Sequence, residues 1–224
     1  EERRYAIIPG VFLGAEADSS HCFVQTLDGG TGRTTYHRYP LAAFRSSPHE
    51  FDIWVGSNHF RADSIALDIA SPERRLQGEL RFSGLTPWPV TLTSPGIMGW
   101  YAFVPFMECY HGVLSLDHAL SGQLNVDGQS VDFTGGRGYI EKDWGQAFPR
   151  AWIWLQSNHF AAPGTSLTAS IAIIPWRGSS FPGFIVGLWH EGRLYRFATY
   201  TGAVTERPEL TDTQVTGHLA GRPG

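Results

Sequence analysis

The sequence has little of what marks several common classes of protein. Among 224 residues there are only two cysteines, Cys22 and Cys109. They are too few and too far apart for a disulfide framework, which favours a reducing compartment. Charged residues make up only 17%, and the net charge of -4 comes without acidic or basic blocks. Nucleic-acid binding needs a concentrated basic face, so that class is set aside. No apolar run approaches the length that spans a bilayer, and the opening EERRYAIIPG lacks the zones of a signal peptide. The chain reads as soluble and cytoplasmic, of bacterial type, with a plastid as the compartment if the source is a plant. The first residue is not methionine, which reads as a trimmed or partial chain.

Familiar chemical motifs are missing too. There is no HExxH, no paired CxxC, no GxSxG and no Walker loop, and the nine histidines do not cluster at metal-ligand spacing. No metal and no cofactor is expected, and the GGRG at 135–138 reads as a flexible entry to a strand. No segment sustains an apolar period near that of a helix, and the best helical candidate, Leu41 to Arg45, covers barely a turn.

What is present suits strands and turns. Aromatic residues reach 13%, with 26 glycines and 14 prolines. Three dipeptides, Asp28-Gly29, Asp127-Gly128 and Glu191-Gly192, interrupt alternating stretches, and Asp-Gly supplies the positive φ angles of a tight primed turn. An all-β chain is expected. WVGSNHF at 54–60 is echoed by WLQSNHF at 154–160, and AIIPG at 6–10 by AIIPW at 172–176. The offsets differ, so no fixed-period repeat fits, but two related β-rich halves with unequal insertions do.

The segment GYIEKDWGQAFPRAWIWLQSNHF, 138–160, holds three of the eight tryptophans together with an acid-base-acid triplet. With the two-residue period of a strand, Tyr139, Glu141 and Asp143 share one face while Lys142 points the other way. Two carboxylates on one face disfavour joint ionisation, and an acid still protonated near neutral pH can deliver a proton to a weakly basic group. Alternatively the triplet is a salt-bridged strand end. Downstream, Trp152, Trp154, Gln156 and Asn158 share a face, as a pocket for a large apolar ligand with one polar end requires, or as packed rings with backbone-bonded amides. In PGIMGWYAFVPFMECYHGVLSLDH, 95–118, Glu108 and His111 sit among aromatic residues. An extended run would turn Phe106, Glu108 and Tyr110 one way, and Met107, Cys109 and His111 the other.

FMECYHGVLSLDHALSGQL followed by GGRGYIEKDWGQAFPRAWIWLQSNHF closely resembles the tocopherol cyclase-like family, and AIIPGV, FVQTLDG and YHRYPLAAF are similar to its earlier part. The resemblance implies two lipocalin-like antiparallel β-barrel or sandwich halves, divided here as 1–134 and 135–224, and kinship with carotenoid hydratases and some pericyclases. It also implies that the first half lacks an aromatic strand found upstream in members and that the second half is short. The implied reaction is isomerisation, vitamin E type chemistry in which an acid protonates the alkene of a prenylated hydroquinone and the phenol oxygen closes a chromanol ring. Under that resemblance Asp143 is the expected proton donor and Glu141 its tuning neighbour. Trp144, Trp152 and Trp154 are expected to shield the cation, and Gln156 and Asn158 to hold the quinol oxygens. Glu108, Tyr110, His111 and Trp100 complete the other wall, with His111 as base for the phenolic proton. The partner expected is an apolar small molecule, met in transient contact with a membrane surface. A non-catalytic isoprenoid carrier and a hydratase or pericyclase acting on another polyene are the alternative functions.

Overall fold

In the computed structural model, which describes residues 3–205 and 209–221, the strands pair antiparallel and no α-helix forms among the described residues. Helical turns are limited to short 3-10 segments, including Leu41–Ala43 at the expected single turn and Gly99–Phe103. None of the sheets closes into a barrel among the described residues. No helix among them is long and apolar enough to cross a membrane.

The chain forms two compact units, Glu1–Ser83 with Ala119–Gly136, and Gly84–His118 with Arg137–Gly224. They are not contiguous halves cut near residue 134. Residues 84–118 belong with the second unit, and the division falls inside one long strand, between His118 and Ala119.

In the first unit β1 (Tyr5–Phe12), β2 (His21–Asp28) and β3 (Thr34–Pro40) form one sheet. The short β4 (Phe44–Ser46), β5 (Asp52–Val55), β6 (Asn58–Arg61), β7 (Ser64–Ala70) and β8 (Arg75–Ser83) run in order through a second sheet. It is completed by the later part of β9 (Cys109–Val126) and by β10 (Gln129–Asp132). Alternation buries Cys22, Val24 and Thr26 of β2, and Cys22 and Val24 pack with Val55, Phe60, Leu67, Ile69, Leu76, Leu80, Leu124 and Val126. Each fully buried aliphatic side chain of this set contributes roughly 1.5–3 kcal/mol.

The second unit holds the earlier part of β9, which pairs β11 (Arg137–Gly145). It also holds a four-stranded sheet of β12 (Trp152–Ser157), β13 (Ser166–Trp176), β14 (Ser179–His190) and β15 (Arg193–Ala198). Its core is Trp88, Ile97, Met98, Val104, Met107, Val113 and Leu116, with Tyr139, Ile174, Ile185 and Trp189 packed against them. Gly187 permits this packing: a Cβ there would lie 2.4 Å from Cζ3 of Trp88.

Two of the three expected turns form as two-residue hairpins. Asp127 and Gly128 take φ of 52° and 91° between Val126 and Gln129, and Glu191 and Gly192 take 49° and 73° between His190 and Arg193. At Asp28-Gly29 the loop is longer. Asp28 Oδ1 accepts from the Gly30 and Thr31 amides, and the positive φ falls at Gly32. A further hairpin turns at Arg177-Gly178, which carries no Asp or Asn signal.

The SNHF echo is not an echo of structure. WVGSNHF folds as the β5–β6 hairpin, with Val55 paired to Asn58, whereas WLQSNHF runs along β12 and leaves it after Ser157. Gly56, with φ of 61°, allows the first to turn, and Gln156 at the matching position keeps the second extended. Both AIIP stretches do lie in strands, β1 and β13.

Candidate functional site

Strand parity on β11 is as the alternation of Tyr139, Glu141 and Asp143 against Lys142 requires. The Tyr139 hydroxyl donates to Glu141 Oε2 at 2.6 Å and lies 3.1 Å from Thr168 Oγ1 on β13. The Trp154 indole N–H on β12 donates to the same Glu141 oxygen at 3.2 Å. His111, on the neighbouring β9, places Nδ1 2.6 Å from Asp143 Oδ1 and Nε2 3.6 Å from Glu141 Oε2. Three strands, β9, β11 and β12, thus converge on one carboxyl group, and β13 reaches it through Tyr139. Lys142 lies on the opposite face, its Nζ 4.6 Å from the centre of the Trp144 ring.

The two carboxylates differ in surroundings, because the Glu141 side chain is 22% exposed and that of Asp143 35%. Burial pushes the Glu141 carboxyl above the ordinary range, and the Asp143 charge adds to this, although the Tyr139 bond, the His111 charge and the Trp154 bond oppose it. Burial works against a charged His111, but the hydrogen bond and charge of Asp143, with the charge of Glu141, more than offset it and raise its pKa. Burial, with the adjacent Glu141, also pushes the Tyr139 phenol upward, so it stays neutral and serves as a donor.

An apolar cavity of about 70 Å³ lies in the same unit, lined by Met98, Tyr101, Met107, Ser170, Ala172 and Ile174 among others. Tyr139, Glu141, Trp154 and His111 do not line it, but two of its lining residues neighbour them. Ser170 is the register partner of Trp154, and the Met98 sulfur accepts from the His111 backbone amide at 3.1 Å.

The other expected residues fall at different distances from this centre. Trp152 shares the face of Trp154 and stacks on Phe148 with ring centres 5.5 Å apart. Gln156 lies two positions beyond Trp154, and its Nε2 is shielded with no hydrogen-bond partner among the described residues. Asn158 donates to the Gly138 carbonyl at 3.1 Å and approaches Asp117, the backbone-bonded alternative for this amide. Trp144 lies on the Lys142 face of β11, stacked on Tyr110 and close to the Lys142 ammonium. Tyr110 itself donates to the Val104 carbonyl at 2.6 Å. The extended run expected from Phe106 begins only at Cys109, because residues 105–106 form a turn. Glu108 precedes the strand, its carbonyl accepts from the Gln146 and Ala147 amides, and its side chain makes no hydrogen bond or ion pair among the described residues. Trp100 stacks on the cavity residue Tyr101 with centres 4.1 Å apart.

Sequence reasoning passed over Thr168, whose hydroxyl carries no signal inside a strand, and the Asp117–Arg137 pair. Asp117 is 2% exposed and accepts from Arg137 Nε at 2.9 Å, which anchors the start of β11. Gly138 follows because the His118 ring occupies the space of a side chain there, 2.2 Å from where a Cβ would sit.

In this all-β unit a shielded carboxyl, an imidazole and an indole meet near an apolar cavity, an arrangement chemically able to move a proton. The profile described as tocopherol cyclase-like matches residues 53–208, and the chain belongs to that family. The chain is 32% identical over 120 residues to the "Probable tocopherol cyclase, chloroplastic" of Oryza sativa subsp. japonica, covering 52% of this chain and 26% of that protein. To the "Tocopherol cyclase, chloroplastic" of Zea mays it is 32% identical over 111 residues, 48% of this chain and 23% of that one. The matches span about a quarter of the length of these curated relatives. All the residues converging on Glu141 lie inside the matched family region.

Proposed function

We propose that this chain carries an acid-catalysed isomerisation of tocopherol cyclase type, the closure of a chromanol ring from a prenylated hydroquinone or similar isoprenoid. The observation that carries the proposal is Glu141, a shielded carboxyl raised in pKa and pinned by Tyr139 and Trp154 beside an apolar cavity. Both donors address Oε2, so the transferable proton resides on Oε1. The donor role therefore goes to Glu141, with Asp143 as the anion that orients His111.

The steps balance without a co-reactant. Glu141 gives its proton to one alkene carbon, the π pair forms the new C–H bond, and a tertiary cation is left on the other carbon. The phenol oxygen captures that cation, and its proton returns to the Glu141 carboxylate, directly or through His111 Nε2. The product has the formula of the substrate. The Trp154 ring face stabilises the cation by about 0.5–2 kcal/mol, and the apolar cavity keeps out water that would otherwise trap it. The cavity accommodates only part of a prenyl chain, so Trp152 and Phe148 extend the contact along β12. The proposal includes a lipocalin-like origin for both halves of the chain.

Incubation of the full chain with 2-geranylhydroquinone tests this. Chromanol formation that is lost in Glu141→Gln while the quinol still binds supports the reading. Binding without turnover in the unmutated protein would instead make it a carrier, and a product heavier by one water would make it a hydratase.

A further inference from the structure

One face of β13 changes polarity along its length. Ser166, Thr168, Ser170, Ala172 and Ile174 alternate on that face, successive members being about 7 Å apart. At its start Ser166 and Thr168 are 0% and 1% exposed, and Ser166 Oγ has no hydrogen-bond partner among the described residues. Gln156, the β12 register partner of Thr168, has an equally unpartnered Nε2. On the other side, the β14 partner of Thr168 is Gly187, over which the 2% exposed Trp88 ring lies, with its Nε1 unpartnered as well.

Native proteins leave few buried polar atoms unsatisfied, so three of them on residues that neighbour Thr168 along β13, in register or over its partner glycine call for a hydrogen-bonding occupant. Two of the three are N–H donors and the third is a hydroxyl, a set suited to an oxygen-bearing group. Further along the same face, Ser170, Ala172 and Ile174 line the apolar cavity. Glu141 is held between the two ends: its Oε2 accepts from Tyr139, which is bonded to Thr168, and from Trp154, which is paired with Ser170.

We infer that Trp88, Gln156 and Ser166 form a subsite for the oxygenated ring of the ligand, with the prenyl tail directed along β13 into the Ser170–Ile174 cavity. This orientation rests on the function proposed above and deepens it. The reacting alkene stands at the junction of ring and tail, and the acid stands at the junction of the two subsites. Trp88 and Ser166 are binding residues in this account, and Ala172 sets the space for the tail.

Equilibrium dialysis of the full chain under reducing conditions tests the inference with two probes, 2-geranylhydroquinone and geranylbenzene, which lacks both oxygens. Ser166→Ala and Trp88→Phe are each expected to weaken the quinol by about threefold to tenfold, the worth of one hydrogen bond, and to leave geranylbenzene unchanged. Ala172→Phe is expected to weaken both probes and to leave tail-free hydroquinone unaffected. Far-ultraviolet circular dichroism and thermal midpoints establish that the variants fold. Equal shifts for the two probes, an unchanged quinol preference in both polar variants, or no binding of either probe by the unmutated chain would overturn the inference. Turnover is read separately. Oriented binding without chromanol would refute the proposed reaction alone, whereas chromanol formation without head-group preference would refute the orientation alone.

Discussion

Tyr139 and Glu141, two residues apart on β11, are joined by a hydrogen bond of 2.6 Å between the phenol and Oε2. A residue pair separated by two lies on one face of a strand, so the bond follows directly from extended backbone. Its effect is to hold one carboxyl oxygen, Oε2, in place. Tyr139→Phe is expected to raise the Glu141 pKa further, because this bond is the largest influence opposing burial. Carbon-detected titration of labelled glutamate reads that rise, and the active limb of the pH profile should extend to higher pH with it.

Removing the anion behind His111 should have the opposite sign. In Asp143→Asn the imidazole loses the hydrogen bond and charge that raise its pKa, while burial, which lowers it, remains. The histidine pKa is then expected to fall, with the Glu141 charge alone left to oppose burial. Turnover is expected to fall by about 10²-fold, in the range typical of a lost acid-base group. An imidazole resonance that does not move would remove His111 from the account.

Stability should respond to pH from both sides. Glu141 and His111 have folded-state pKa values above their ordinary ones, so the native state holds protons more tightly there than the unfolded chain does. That contribution is present at pH below the ordinary values and is lost as pH rises through the raised ones. His118 acts in reverse: burial lowers it from 6.5 to about 4, so its contribution is present above 6.5 and is lost as pH falls toward 4. Thermal midpoints measured across pH should lose part of the decline that accompanies rising pH in Glu141→Gln, with the His111 part remaining, and part of their acid-side decline in His118→Gln.

Much of this site was legible because parity within a strand is a local property. The division of Tyr139, Glu141 and Asp143 from Lys142 needs only extended backbone, and the turns at Asp127-Gly128 and Glu191-Gly192 need only the positive φ angles of two adjacent residues. What the sequence hid is long-range or ambiguous. His111 meets Asp143 through the pairing of β9 with β11, which no local pattern specifies. Ser166 and Thr168 are ordinary strand residues until their register partners are known, and Trp88 lies in an irregular stretch. The SNHF echo misled because one glycine, Gly56, turns the chain where Gln156 does not.

Asp127 tests the hairpin of the first unit separately from the site. It combines a φ of 52° with an ion pair, at 2.9 Å, to the buried Arg74. Asn tolerates the same backbone conformation and keeps an acceptor for the Arg75 amide. Asp127→Asn should therefore cost the charged bonds that Oδ2 makes to Arg74 and Arg33, the bond to the buried Arg74 being worth about 1.5–3 kcal/mol in chemical denaturation. Asp127→Ala should cost more, because the backbone preference and the acceptor go with the charge.

The most direct test of the central claim is the mass spectrum of the product formed from 2-geranylhydroquinone in deuterium oxide. A chromanol of the substrate's formula carrying one solvent deuteron on carbon, formed by the unmutated chain and absent with Glu141→Gln, is the result the account predicts. Quinol recovered unlabelled from the unmutated protein, or labelled chromanol formed equally well by Glu141→Gln, would contradict it.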